Sequence, residues 1–248
     1  MRRLGSAFLL ACALALGGCG SGGDSGPSAG DLRVLAATSL SRAFGDDLLT
    51  SLHESVGVSL AGSQALVAQV EQGAPADVIA TADTVTMDRL ARAGRLATAP
   101  RIFAANRLAI VVAAGNPRRI GRLADLARSG LVVVLAAPAV PAGRYAGEVL
   151  ARAGVHVRAA SLEENVGAVV TKVALGEADA GIVYVTDVVG RGDVAMVAIP
   201  VDQNVLAHYP VALLRDAAHP DAGRRFIELL LSARGQQILR DHGFLPPS

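Results

Sequence analysis

Aromatic residues are scarce in this chain of 248 residues, which has no tryptophan, three tyrosines and five phenylalanines. Surfaces that bind nucleic acids combine clustered basic residues with aromatic ones. Here 23 basic and 22 acidic residues are distributed along the chain, and no basic stripe is present. The sequence therefore predicts no nucleic-acid partner.

Cysteine is also scarce, because the only two cysteines are Cys12 and Cys19. Without a later cysteine, the rest of the chain has no disulfide framework, thiol nucleophile or cysteine-ligated metal. The five histidines lack the spacing of metal ligands, and neither Ser39 nor Ser63 stands in a Gly-x-Ser-x-Gly motif. We therefore expect a protein that is not an enzyme and that needs no cofactor.

No apolar run is long enough to cross a bilayer, although 52% of the residues are hydrophobic. The run Leu4–Leu16 follows a positively charged start and has the length of a signal-peptide core. The segment that ends at Cys19 resembles the bacterial lipobox, in which the cysteine is lipidated, and an ordinary secretory signal is the alternative. We expect residues 1–19 to be a lipoprotein signal peptide and residues 20–30 a flexible tether. The chain is then exported and anchored to the membrane by its lipid.

From residue 31 onward, short β-rich runs alternate with helical patterns, which indicates an α/β fold with a largely parallel sheet covered on both faces. Strands are predicted at 32–37, 56–61, 77–80, 108–113, 131–135, 155–158, 180–184 and 194–199. Helices are predicted at 40–53, after 63, around 87–90, and at 120–128, 143–153, 164–175, 220–231 and 233–242.

Three of the strand–helix junctions have a similar composition. Residues 36–40, 61–65 and 137–143 each place small residues, hydroxyls or bare backbone N–H groups at a helix start. Such helix ends carry unpaired donors and a partial positive charge, so they suit an anion. A single serine at such a position is more simply a helix cap, but the repetition favours an anion site.

These junctions lie within motifs that resemble the molybdate-binding proteins of ABC importers over about residues 32–244. The matching segments are LAATSL (35–40), AGS (61–63), QVEQGAPADVI (69–79), NRL (106–108), PAVPAGRYA (138–146), ENV (164–166), GEADAGIVY (176–184) and YPVA (209–212). The resemblance implies a protein that binds molybdate or tungstate and delivers it, as a monomer, to a membrane permease and its ATPase. Molybdenum is then present only as the oxyanion.

The resemblance also implies the binding residues. They are the hydroxyls of Ser39, Ser63 and Tyr184 and the backbone N–H groups of Ala142 and Val166. A fully ionised tetrahedral dianion offers only acceptors, so a site made of donors fits it. Selectivity against sulfate must then come from cavity size, and a site for sulfate or another tetrahedral oxyanion on the same fold is the alternative.

Two residues depart from the usual pattern of the family. Thr38 stands where the family usually has Ala, and Gln64 stands where it often has Ser. Thr38 adds a methyl group and a hydroxyl beside the site, so cavity size is the property most affected. Arg144 follows the Pro-Ala-Gly turn and is expected to point along its helix.

The resemblance finally implies a two-lobed periplasmic-binding-protein architecture, in which each lobe is a mainly parallel sheet flanked by helices. We place lobe 1 at residues 31–109 with 205–248, and lobe 2 at 110–204. The anion then lies in the cleft between the lobes, and binding is expected to pull them together.

Overall fold

The computed structural model describes residues 32–52 and 54–247, so the predicted signal peptide, Cys19 and the tether lie outside the described residues. The strands are β1 (Leu32–Ala37), β2 (Val56–Ala61), β3 (Val78–Ala80), β4 (Arg101–Ala113), β5 (Val133–Ala136), β6 (Ser161–Glu163), β7 (Ala180–Tyr184), β8 (Val194–Ala198) and β9 (Leu206–Leu213). The α-helices are α1 (Asp46–Leu49), α2 (Ser63–Glu71), α3 (Thr84–Arg92), α4 (Pro141–Arg152), α5 (Val166–Ala174), α6 (Pro220–Leu231) and α7 (Ala233–Asp241).

The strands form one sheet in the order β2-β1-β3-β9-β4-β7-β5-β6, and β8 also pairs with β4. The outer pairs β1–β2, β1–β3, β5–β6 and β5–β7 are parallel, whereas β9 and β4 run antiparallel to their neighbours. The predicted α/β class is confirmed. The carboxyl ends of the parallel strands face loops that lead into helices, which is where such sheets bind ligands.

Strand β4 joins the two halves of the sheet. Its residues up to Arg107 pair with β9, and its residues from Leu108 pair with β7. One half of the sheet therefore contains β2, β1, β3 and β9, and the other contains β7, β5 and β6. We call these the first and second halves; the exact division into two lobes stays a prediction.

The prediction of one continuous helix at 40–53 is wrong, but the apolar side chains predicted to share a face are buried. Leu40, Phe44, Leu48 and Leu52 are all buried. The backbone is broken into a 3-10 helix at Thr38–Leu40, turns, the short α1 and a second 3-10 helix. Gly45 stands at the break, and a glycine inside a helix costs about 1 kcal/mol.

The predicted strand at 155–158 is also wrong, because the edge strand of this half is β6. Val155 and Val157 are half-buried and pack against the core, so their alternation reflects packing rather than pairing in the sheet. Strand β9 was not predicted, although it pairs with both β3 and β4.

Candidate functional site

A small cavity lies where the two halves of the sheet face each other. Its wall comes from residues at or after the carboxyl ends of six strands, β1, β2, β3, β5, β6 and β7. All five residues that the sequence predicts as ligands line it: Ser39, Ser63, Ala142, Val166 and Tyr184. The structure therefore brings together residues up to 145 positions apart, because each lies at or shortly after the carboxyl end of a strand.

The two serines contribute hydroxyls from the first half of the sheet. Ser39 follows β1 and is 5% exposed, and its Oγ lies 3.0 Å from the hydroxyl of Tyr209. Ser63 is the first residue of α2 and is 1% exposed. Its Oγ accepts a hydrogen bond of 3.0 Å from the backbone N–H of Ala82, so the hydroxyl proton remains available to a ligand.

Ala142 and Val166 contribute backbone N–H groups, because each lies in the first turn of a helix. Those groups have no partner within their own helix. Helix α4 starts at Pro141, and no side chain caps it. In α5, Asn165 accepts from the N–H of Ala168 at 2.9 Å, which leaves the preceding N–H groups to a ligand.

A glycine allows α4 to begin this close to the sheet. A Cβ on Gly143 would lie 2.1 Å from the carbonyl oxygen of Ala137 and 2.4 Å from that of Ala136. Only a residue without a Cβ fits there, so Gly143 fixes where the N–H of Ala142 lies.

Tyr184 ends β7 with its side chain 1% exposed. Its ring packs against Tyr209 at a centroid distance of 5.7 Å, and its hydroxyl has no hydrogen-bond partner among the described residues. Burial raises the pKa of Tyr184 well above its usual value. The phenol therefore stays protonated and can donate at every physiological pH.

No residue with a charged side chain lines this cavity within the described part of the chain. Arg144, which follows the Pro-Ala-Gly turn, was expected to point along its helix, and that prediction is wrong. Arg144 forms an ion pair with Asp83, whose side chain is fully buried and also accepts from the N–H of Thr86 at 2.9 Å. Asp83 follows β3 and Arg144 belongs to α4, so the pair joins the two halves of the sheet beside the cavity.

Two further polar contacts join the halves of the sheet. The side-chain amide of Gln64 donates to the carbonyl oxygen of Glu164 at 2.7 Å. Farther from the cavity, Arg42 donates to the carbonyl oxygen of Val189. Side-chain hydrogen bonds as well as packing therefore join the two halves of the sheet.

A wider, open groove adjoins the cavity through Thr38 and Ser39. Two of its basic side chains have carboxylate partners: Lys172 lies 2.7 Å from Glu163, and Arg191 lies 2.5 Å from Asp193. The third basic side chain of the groove, Arg42, donates to a backbone carbonyl oxygen. The smaller cavity, which has no charged side chain among its described lining residues, is therefore the simpler site for a small anion.

Sequence reasoning assigned no role to several residues that support the site. The amide of Asn106 donates to the hydroxyl of Thr186 at 2.9 Å, behind Ser39 and Tyr209. Asn106 and Tyr209 lie in the NRL and YPVA motifs, but neither residue was assigned a role from the sequence. Asp83 carried no sequence signal beyond its position after a predicted strand.

Asp187, directly after this site, makes the stability of the fold depend on pH. Burial raises its pKa to about 7, although the N–H of Tyr184 and the charges of Arg191 and Arg42 act in the opposite direction. Unfolded aspartate has a pKa of about 3.9, so the folded protein holds the proton more tightly. The free energy of unfolding should therefore fall as pH rises from about 4 to about 7 and change little above that.

Thermal melts at pH 4.5, 5.5, 6.5 and 7.5 measure this slope, and Asp187→Asn should remove most of it. The control is Asp125→Asn, because hydrogen bonds from Gly121 and Arg122 and nearby arginines lower the pKa of Asp125. Its contribution changes only below about pH 4. An unchanged slope in Asp187→Asn would contradict the prediction.

Within residues 32–52 and 54–247, no cluster of three or more His, Cys, Asp or Glu side chains could hold a metal ion. In the same part of the chain, no helix has the length and apolar character needed to cross a membrane.

Comparison with known proteins places the chain in a family. The family model of bacterial extracellular solute-binding proteins matches residues 32–245. The chain is 38% identical to the molybdate-binding protein ModA of Mycobacterium bovis over the full length of both chains. Its structure is similar to the periplasmic molybdate-binding protein of Azotobacter vinelandii, with a TM-score of 0.77, 18% identity, and coverage of 88% of this chain and 100% of that one.

It is equally similar to the sulfate-binding protein SubI of Mycobacterium tuberculosis, with a TM-score of 0.77, 20% identity, and coverage of 87% and 86%. The two similar structures share a fold but are named for different anions, so the fold alone does not determine the ligand. The family match over nearly all described residues, together with the full-length relative, shows that the chain belongs to the bacterial extracellular solute-binding proteins.

Proposed function

We propose that the protein is the substrate-binding lipoprotein of an ABC importer, which captures molybdate or tungstate and delivers it to a membrane permease and its ATPase. The ligands are the hydroxyls of Ser39, Ser63 and Tyr184 and the N–H groups of Ala142 and Val166. The observation that carries the proposal is that these five donors meet at one cavity whose wall has no charged side chain in the described residues.

The chemistry of the wall suits a fully ionised dianion. Molybdate and tungstate present only acceptor oxygens, and hydroxyls and backbone N–H groups present the matching donors. A monoprotonated phosphate also needs an acceptor for its proton, and the wall offers no carboxylate. The protein binds and releases the anion unchanged, so we propose no catalytic step and no cofactor.

Sulfate is the second candidate, because SubI has an equally similar fold. Sulfate has the charge and shape of molybdate but is smaller, so the two differ in the cavity size that they need. The full-length relative at 38% identity carries the name of a molybdate-binding protein, which favours molybdate.

We further propose that Cys19 carries the lipid anchor, that residues 20–30 tether the folded body to the membrane surface, and that the protein acts as a monomer outside the cytoplasm. Residues 31–109 with 205–248 and residues 110–204 form the two lobes that close over the ligand. Solution scattering should show compaction when molybdate is added, and unchanged scattering would contradict the closure.

Thermal melts of residues 31–248 with molybdate, tungstate, sulfate and phosphate test the proposed function. A ligand at about 1,000 times its dissociation constant stabilises a protein by about 4.1 kcal/mol. For a chain of this size the midpoint should rise by roughly 8–16 °C with molybdate and tungstate, and little with sulfate. Equal shifts with sulfate would indicate a general oxyanion site, and no shift with any of the four would overturn the proposal.

A further inference from the structure

We propose that the hydroxyl of Thr38 is a further hydrogen-bond donor to the bound oxyanion. The inference rests on the proposed function and adds a residue to its ligand set. Thr38 lines the cavity beside Ser39, at the start of the 3-10 helix that follows β1. It also lines the adjoining groove, so it stands where the cavity opens.

The first observation is that Thr38 Oγ1 is buried and has no hydrogen-bond partner among the described residues. Buried polar atoms are almost always bonded, so each exception needs an explanation such as an absent ligand. The only other buried hydroxyl without a partner in the described residues is that of Tyr184. Both residues line the same cavity. An anion with several acceptor oxygens would satisfy both hydroxyls at once.

The second observation is that packing fixes the direction of this hydroxyl. The methyl group of Thr38 lies against Gly167 in the first turn of α5, where a Cβ on Gly167 would be 3.1 Å from it. A β-branched side chain has few allowed rotamers, so a methyl held against α5 also holds the hydroxyl in place. The hydroxyl is therefore oriented before the ligand arrives, which reduces the entropy lost on binding.

Thr38 could instead act only by filling space beside the ligand. Three substitutions distinguish this packing role from the proposed hydrogen-bond donor. Thr38→Val keeps the shape and removes the donor, Thr38→Ser keeps the donor and removes the methyl group, and Thr38→Ala removes both. Thr171→Val is the matched control, because Thr171 is exposed on α5 and its hydroxyl already donates to the carbonyl oxygen of Gly167 at 3.0 Å.

Calorimetric titration of the purified protein with molybdate should show affinity lower by about 10- to 100-fold in Thr38→Val, the expected loss for one hydrogen bond to a charged group. Thr38→Ser should remain within about 3-fold of the unchanged protein, and Thr171→Val should bind like it. Without ligand, Thr38→Val should melt no lower than the unchanged protein, because the lost hydroxyl has no protein partner.

A lower melting midpoint of ligand-free Thr38→Val would show that the hydroxyl has a structural role and would overturn the inference. Unchanged molybdate affinity in Thr38→Val, or an equal loss in Thr38→Ser, would also overturn it while leaving the proposed function intact. If the unchanged protein binds no molybdate, both proposals fall.

Discussion

Gly143→Ala is expected to lower the free energy of unfolding by about 3 kcal/mol or more and to weaken molybdate binding by more than 10-fold. The new methyl group would lie 2.1 Å from the carbonyl oxygen of Ala137, and that neighbour is backbone that cannot rotate away. Overpacking costs about 1–3 kcal/mol even where side chains can adjust. Relief requires α4 to move away from β5, which carries the N–H of Ala142 with it. Thermal melts and calorimetric titration measure the two losses.

The same helix provides a matched control. Gly147 lies one turn later in α4 and is exposed, and nothing lies within 4 Å of a Cβ placed on it. Gly147→Ala should therefore stabilise the protein by about 0.5–1 kcal/mol, the usual gain for alanine over glycine in a helix. Equal behaviour of the two variants would show that the close approach at Gly143 has no consequence.

Arg144→Gln is expected to be the most damaging change to the contact between the two halves of the sheet. It leaves the fully buried carboxylate of Asp83 without its cation, and removing one partner of a buried ion pair costs about 3–5 kcal/mol. Arg144 is itself 28% exposed, so we expect a loss near the lower figure. The melting midpoint should fall by about 6–12 °C. Molybdate affinity should fall too, because an unpaired negative charge then stands one residue from Ala82 on the cavity wall.

A double-mutant cycle separates the ion pair from other effects of the substitution. Asp83→Asn removes the charge while keeping an oxygen that can accept from the N–H of Thr86. Combined with Arg144→Gln, it should recover most of the lost stability, because no unpaired charge remains buried. If the two losses simply add, the pair does not couple the halves of the sheet.

The sequence predicts elements best where one apolar run lies between two turns. The bounds of β1, β2 and β7 agree with the prediction to the residue. Strand β9 was not predicted, because Pro210 stands in its middle and proline argues against a central strand. The structure tolerates it because the register of β4 shifts between Ile102 and Ala104, opposite Pro210.

The five candidate ligands came from the resemblance to the molybdate-binding proteins. Local sequence alone indicated three strand–helix junctions, which contain Ser39, Ser63 and Ala142 but neither Val166 nor Tyr184. The topology of parallel sheets brings the carboxyl ends of such strands together. The ion pair of Arg144 with Asp83 could not be predicted, because its partners are distant in sequence and meet only after folding. The periplasmic-binding-protein architecture is confirmed by the family match and the structural neighbours. The roles of the five ligands stay predictions.

Under the proposed function, the uncharged wall of the cavity bears on how the anion is released. Its attraction for a dianion is the sum of small dipoles that belong to several separate helices and strands, and each dipole acts only over the nearest turn. When the walls separate by a few ångströms, these dipoles no longer act together on the anion, and water replaces the lost hydrogen-bond donors. No proton, competing ion or change in side-chain charge is needed. A membrane partner that merely pulls the two halves apart would empty the site.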